Sequence, residues 1–149
     1  MIDQSQVGRT WTPYETVVEA GRLKTYAKAI GETDPVHFDE AAARAAGHRS
    51  ILAPATFVFC LGFDDPTGVD YLADLSIPIA WILHGEQIIK HHGDLCAGDR
   101  IRYTRRVNDI YSKKGGALEF VEFDTEVRQV PTDELVAELR AVLVVRNPT

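Results

Sequence analysis

The sequence predicts an α+β fold, an antiparallel sheet wrapped around one long central helix, and three observations carry that prediction. Leu135, Ala137, Leu139, Ala141, Leu143 and Val145 alternate without a fault, the period of a half-buried strand. The whole second half reads the same way, as long strands joined by tight turns. Ile51 to Phe63 is the most apolar stretch, and Thr56, Phe57, Val58, Phe59, Cys60 and Leu61 leave it almost no polar face. A helix that is apolar all round is a buried helix. Three long strands in a meander need their apolar face covered, and this segment is the cover.

Each element follows in order. From Ala20 to Ile30, Leu23, Tyr26, Ala27 and Ile30 fall at helical spacing, and Gly31 is a stop signal. Pro35 pushes Asp34 out of helical geometry, so residues 32–39 form an ordered turn or extended piece. Asp39 can cap a short helix from Glu40 to Ala46, ended by Gly47. Pro54 suits the first turn of the central helix. The β-branched and aromatic content of that segment leaves a buried strand as its alternative. Asp64 to Pro78 reads as a loop. Ile79 to His91 is the first long strand. After the Gly98-Asp99 turn, Ile101, Tyr103, Arg105 and Val107 alternate. Lys113-Lys114-Gly115-Gly116 signals a hairpin, Leu118 to Val130 is the next strand, and Pro131-Thr132-Asp133 turns the chain into the last one.

The bulk numbers fit a single domain over residues 1–149. Hydrophobic residues make up 45% and charged residues 26%, an ordinary globular balance. A net charge of -6 argues against nucleic acid or an anionic membrane as the main partner. No run approaches the roughly 18 apolar residues that span a bilayer. Cys60 and Cys96 form no CxxC pair, and with no signal peptide they suit a reducing cytoplasm. No metal and no cofactor are expected.

His37 is the first chemical candidate. Glu32, Asp34 and Asp39 lie within five residues of it, on a turn held by Pro35. A histidine beside a carboxylate is the minimum equipment for acid–base work near neutral pH; a surface histidine in an acidic loop is the alternative. His84 stands in a polar patch, Leu83-His84-Gly85-Glu86-Gln87, within an apolar strand. It either lines a ligand channel or faces solvent or a subunit boundary. His91 and His92 are adjacent, so a strand points them to opposite faces. Arg100, Arg102, Arg105, Arg106, Lys113 and Lys114 form a basic stretch. It could meet coenzyme A phosphates or an acidic carrier protein, or be a solvated strand face.

The string Gly31-Glu32-Thr33-Asp34-Pro35-Val36-His37 resembles the hydratase motif G-D-x-N-P-x-H of MaoC-like dehydratases and hydratases. Val18 to Ile30, Asp39 to Gly47, Leu52 to Phe57 and Ala97-Gly98-Asp99 resemble further pieces of that family in the same order. The similarity extends to the branch with an N-terminal MaoC-type dehydratase domain, which includes small subunits of mycobacterial (3R)-hydroxyacyl-carrier-protein dehydratases. The resemblance implies a hot-dog fold and an (R)-specific hydro-lyase acting on enoyl or 3-hydroxyacyl thioesters of coenzyme A or acyl carrier protein. His37 takes the place of the catalytic histidine, Glu32 that of the aspartate and Asp34 that of the asparagine. Backbone N–H groups around Ala55 and Thr56 fall where the thioester oxygen is held, and Phe57 and His84 are candidate substrate contacts. The resemblance further implies a homodimer, or a heterodimer with a second hot-dog subunit. A non-catalytic acyl-binding subunit is the main alternative, favoured by the altered Glu32 and Asp34; a hot-dog thioesterase is the third.

Overall fold

The computed structural model describes residues 1–146. Five strands form one antiparallel sheet: β1 (Tyr14–Val17), β2 (Ile82–His91), β3 (Arg100–Lys113), β4 (Leu118–Val130) and β5 (Leu135–Arg146). Their order is β1-β3-β4-β5-β2, so the predicted meander β3-β4-β5 is the centre and β1 and β2 are the edges. The hairpin between β3 and β4 turns through Gly115 and Gly116 at φ 64° and 92°, a backbone region that glycine enters without a Cβ clash. Period-two alternation then sets the faces. Ile101, Tyr103 and Val107 of β3, Val121, Phe123 and Val127 of β4, and Ala137, Leu139, Leu143 and Val145 of β5 are all buried.

The cover is shorter than the sequence suggested. α3 (Phe57–Cys60) runs on as a 3-10 turn, Leu61–Asp64, in place of a long helix. Two contacts stop it. A Cβ on Gly62 would stand 3.0 Å from the Tyr103 hydroxyl, so the chain lies directly against the sheet there. Asp65, ahead of Pro66, is extended at φ -57°, ψ 118°, as sterics before proline require. Phe57, Val58 and Leu61 are nonetheless fully buried, at 2%, 1% and 0% exposure. Each such burial stabilises by about 1.5–3 kcal/mol.

α1 (Ala20–Ala29) packs Leu23 and Ala27 into the same core, and α2 (Glu40–Ala45) follows with the Asp39 side chain capping the Ala42 N–H at 2.8 Å. Two boundaries differ from the sequence reading. The segment 64–78 contains a short helix, α4 (Asp70–Asp74), because Leu72, Leu75 and Ile77 close a second apolar cluster. β2 begins at Ile82, after a 3-10 turn at Ile79–Trp81. β1 is an edge strand that four residues of mixed polarity, YETV, do not announce.

Candidate active site

Local chain geometry places His37. α1 ends at Gly31, whose φ of +78° turns the chain sharply, and the Glu32 N–H closes the turn on the Ala27 carbonyl at 2.9 Å. The Asp34 carboxylate then accepts the Val36 N–H at 3.1 Å and caps the 3-10 turn Pro35–His37. The Leu52 N–H donates to the Val36 carbonyl at 3.0 Å, tying this turn to the segment entering α3. On that segment the Leu52 carbonyl accepts from His37 Nδ1 at 2.8 Å. A carbonyl can only accept, so Nδ1 carries a proton and Nε2 is the basic nitrogen of the neutral ring.

His37 lines a cavity of about 300 Å³ together with Glu32, Leu52, Ala55, His91 and Asp94. Three predicted residues, His37, Glu32 and Ala55, thus meet around one space. Asp34 is spent on the cap. The Ala53 N–H is taken by the Leu95 carbonyl and that of Phe57 by Pro54, whereas those of Ala55 and Thr56 have no acceptor among the described residues. His91 Nε2 donates to the Ala55 carbonyl at 2.8 Å, holding this loop against β2. The Thr56 hydroxyl is hydrogen-bonded to the Tyr26 hydroxyl at 2.7 Å, and His48 pairs with Asp94 at 2.6 Å on the cavity rim.

On β2 the face that carries His91 continues through Ile89 to Gln87, which faces a second cavity, of about 220 Å³. Phe59, Phe63, Tyr103, Leu139 and Leu143 give it an apolar wall, and His84 stands edge-on to Phe59 with ring centroids 5.7 Å apart. The predicted contact His84 therefore lines this space. Phe57 lines neither cavity: its ring is buried against Tyr26, 5.4 Å away, under α1. Burial pushes the Tyr103 hydroxyl up to about 12, so it is a neutral phenol.

The basic stretch divides by face. Arg100 and Arg102 reach Glu15, and Arg106 reaches Asp124. Arg105 turns inward beside Asp65, and strand alternation with Ile101, Tyr103 and Val107 was the signal for it. The sequence reading treated it as one more surface arginine. His91 was likewise legible as a strand residue, but its partner at Ala55 was not. Burial pushes the Cys60 thiol up, away from the reactive thiolate. Among the described residues no three His, Cys, Asp or Glu side chains gather to hold a metal, and no helix is long and apolar enough to cross a membrane.

A short buried helix held against one face of a five-stranded antiparallel sheet is the hot-dog architecture that this chain shares with MaoC-like dehydratases. The C-terminally truncated HadBC (3R-hydroxyacyl-ACP dehydratase) complex of Mycobacterium tuberculosis superposes with TM-score 0.82 at 23% identity, covering 93% of this chain and 96% of that one. A MaoC-like dehydratase of Rhodospirillum rubrum superposes with TM-score 0.68 at 24% identity, covering 96% and 94%. In sequence, a UPF0336 protein of Saccharopolyspora erythraea is 33% identical over 148 residues, 98% of this chain and 92% of the relative. The chain belongs to the family described as FAS1-like, dehydratase domain region, whose model matches residues 5–139.

Proposed function

We propose that this chain is an (R)-specific enoyl-thioester hydratase, or in reverse a 3-hydroxyacyl-thioester dehydratase, acting on coenzyme A or carrier-protein thioesters. One observation carries the reading: the Leu52 carbonyl holds His37 in the tautomer that leaves Nε2 basic, in a cavity shared with Glu32 and the Ala55 backbone. Nε2 takes a proton from water as the water oxygen bonds to C3. The C2–C3 π pair shifts to C1–C2 as the carbonyl π pair moves onto the thioester oxygen, and the enolate is held by the N–H groups of Ala55 and Thr56. Fixed donors aimed at a developing oxyanion stabilise the transition state without reorganisation. The enolate collapses by taking the Glu32 carboxyl proton at C2, and the proton gained by His37 Nε2 then returns to Glu32, restoring both groups. Glu32 is the acid in this reading, since it lines the cavity and Asp34 is engaged as a cap. The acyl tail leaves along the inner face of β2 toward the second cavity.

Purified chain with crotonyl-coenzyme A, followed by loss of the enoyl absorbance, tests this. Loss with the native chain and none with His37→Ala is the expected result; equal loss with both would overturn the role of His37.

A second reading, an acyl-binding subunit that works beside another hot-dog chain, draws on one feature of the surface. β2 is an edge strand that exposes Leu83 at 53% and Ile88 at 47%, with Ile79 at 65% just before it. Unpaired, apolar edges are normally covered. A second hot-dog subunit, identical or not, pairs there. The HadBC structure, itself a complex, supports this partner.

A further inference from the structure

Two polar groups in the apolar second cavity have hydrogen-bonding capacity that the protein does not use. The first is Gln87 Oε1. The Gln87 Nε2 donates to the Ile88 carbonyl at 3.1 Å, and a carbonyl only accepts, so the amide cannot turn over. Its oxygen is buried with no donor in reach. The second is the guanidinium of Arg105. Its side chain is only 12% exposed, yet it donates no hydrogen bond among the described residues. Asp65, itself 13% exposed, stands at 3.7 Å, which balances the charge but lies beyond hydrogen-bond length. Tyr71 offers its ring face, with the centroid 4.0 Å from the Arg105 Cζ. A buried acceptor such as Gln87 Oε1 is costly to leave unmatched, so a ligand that donates to it gains affinity.

The geometry points to an acyl group that carries a neutral hydrogen-bonding oxygen, a hydroxyl, on the part of the chain remote from the thioester. A hydroxyl is the neutral group that can both donate to Gln87 and accept from Arg105. A carboxylate fits less well, because Asp65 already neutralises Arg105 and would repel a second anion. The rest of the wall, Phe59, Phe63 and Leu139 among it, suits the hydrocarbon that brings the hydroxyl in. Four strand rises, with three residues between, separate Gln87 from His91 at the reacting cavity, roughly 13 Å, so the hydroxyl sits well along the chain. This assignment rests on the thioester binding at His37. It deepens that reading by naming the substrate class.

Trans-2-decenoyl-coenzyme A and its ω-hydroxy derivative test it by turnover. Their saturated counterparts, titrated by calorimetry, read the cavity without chemistry. The native chain is expected to favour the hydroxylated thioester about tenfold or more in kcat/KM and in affinity, since a site with buried polar groups rejects the analogue that leaves them unpaired. Gln87→Leu and Arg105→Met each move that ratio toward one. Gln87→Leu keeps the side chain's bulk and disturbs no ion pair, so it decides the matter if Arg105→Met folds poorly. Turnover without preference for the hydroxyl overturns the assignment and leaves the hydratase reading intact. Preferential binding without turnover supports the assignment and overturns that reading. Absence of both binding and turnover overturns both.

Discussion

The two cavities lie along the same face of β2 and are built by opposite means. Around His37 the work is done by backbone: the Leu52 carbonyl sets a tautomer, the Ala55 carbonyl receives His91, and two N–H groups stay open. Around His84 and Arg105 the work is done by side chains on a rigid sheet, whose alternation decides which ones face inward. Substitutions at the first cavity should therefore change rate with little effect on folding. Those at the second should change stability or choice of substrate.

The largest expected effect is at the reacting end. His37→Ala should lower kcat by at least a hundredfold, the usual scale for a general acid–base group, while thermal melting stays within a degree or two of native. An unchanged rate would break the comparison. Glu32→Gln should come next in loss of rate. Asp34→Ala should instead act on folding, costing about 1 kcal/mol as a lost cap, measurable by denaturant titration. If Asp34 rather than Glu32 governs the rate, the assignment of the two acids is reversed.

In the core between the two cavities and the sheet, Leu61→Ala removes a fully buried side chain that follows α3 and should cost about 2–5 kcal/mol. Ala141→Leu should fill part of the second cavity, which Ala141 lines, and lower kcat/KM for long acyl chains about tenfold while sparing crotonyl-coenzyme A. Equal loss for both chain lengths would show that the tail lies elsewhere. The smallest effect concerns pH. Tyr103 has a folded value of about 12 against an ordinary 10.0. A raised value means stability that is present below pH 10 and lost as pH rises through about 12. Tyr103→Phe should flatten that alkaline loss in equilibrium unfolding.

Much of this was legible in order along the chain. β4 runs from Leu118 to Val130 as the pattern indicated, and Gly31 and Asp39 mark a helix end and a cap where local chemistry demands them. The His37 turn was legible because Pro35 and Asp34 act within four residues of it. The length of α3 was not, because Gly62 is pressed against Tyr103, which lies far along the sequence. Nor was the inward role of Arg105 foreseen, although its phase with Tyr103 was visible. Charge suggested solvent, and only Asp65 and Tyr71, brought in by the 64–78 segment, let the guanidinium turn inside.

The sequence by itself determined the long strands, the caps and the histidine motif, because periodicity and turn chemistry act over a few residues. The tertiary structure alone decided which nitrogen of His37 is basic, which carboxylates share its cavity and which polar atom is left unmatched in the second cavity. Those depend on Leu52, Ala55 and Asp65, groups brought in by packing between segments rather than by local pattern.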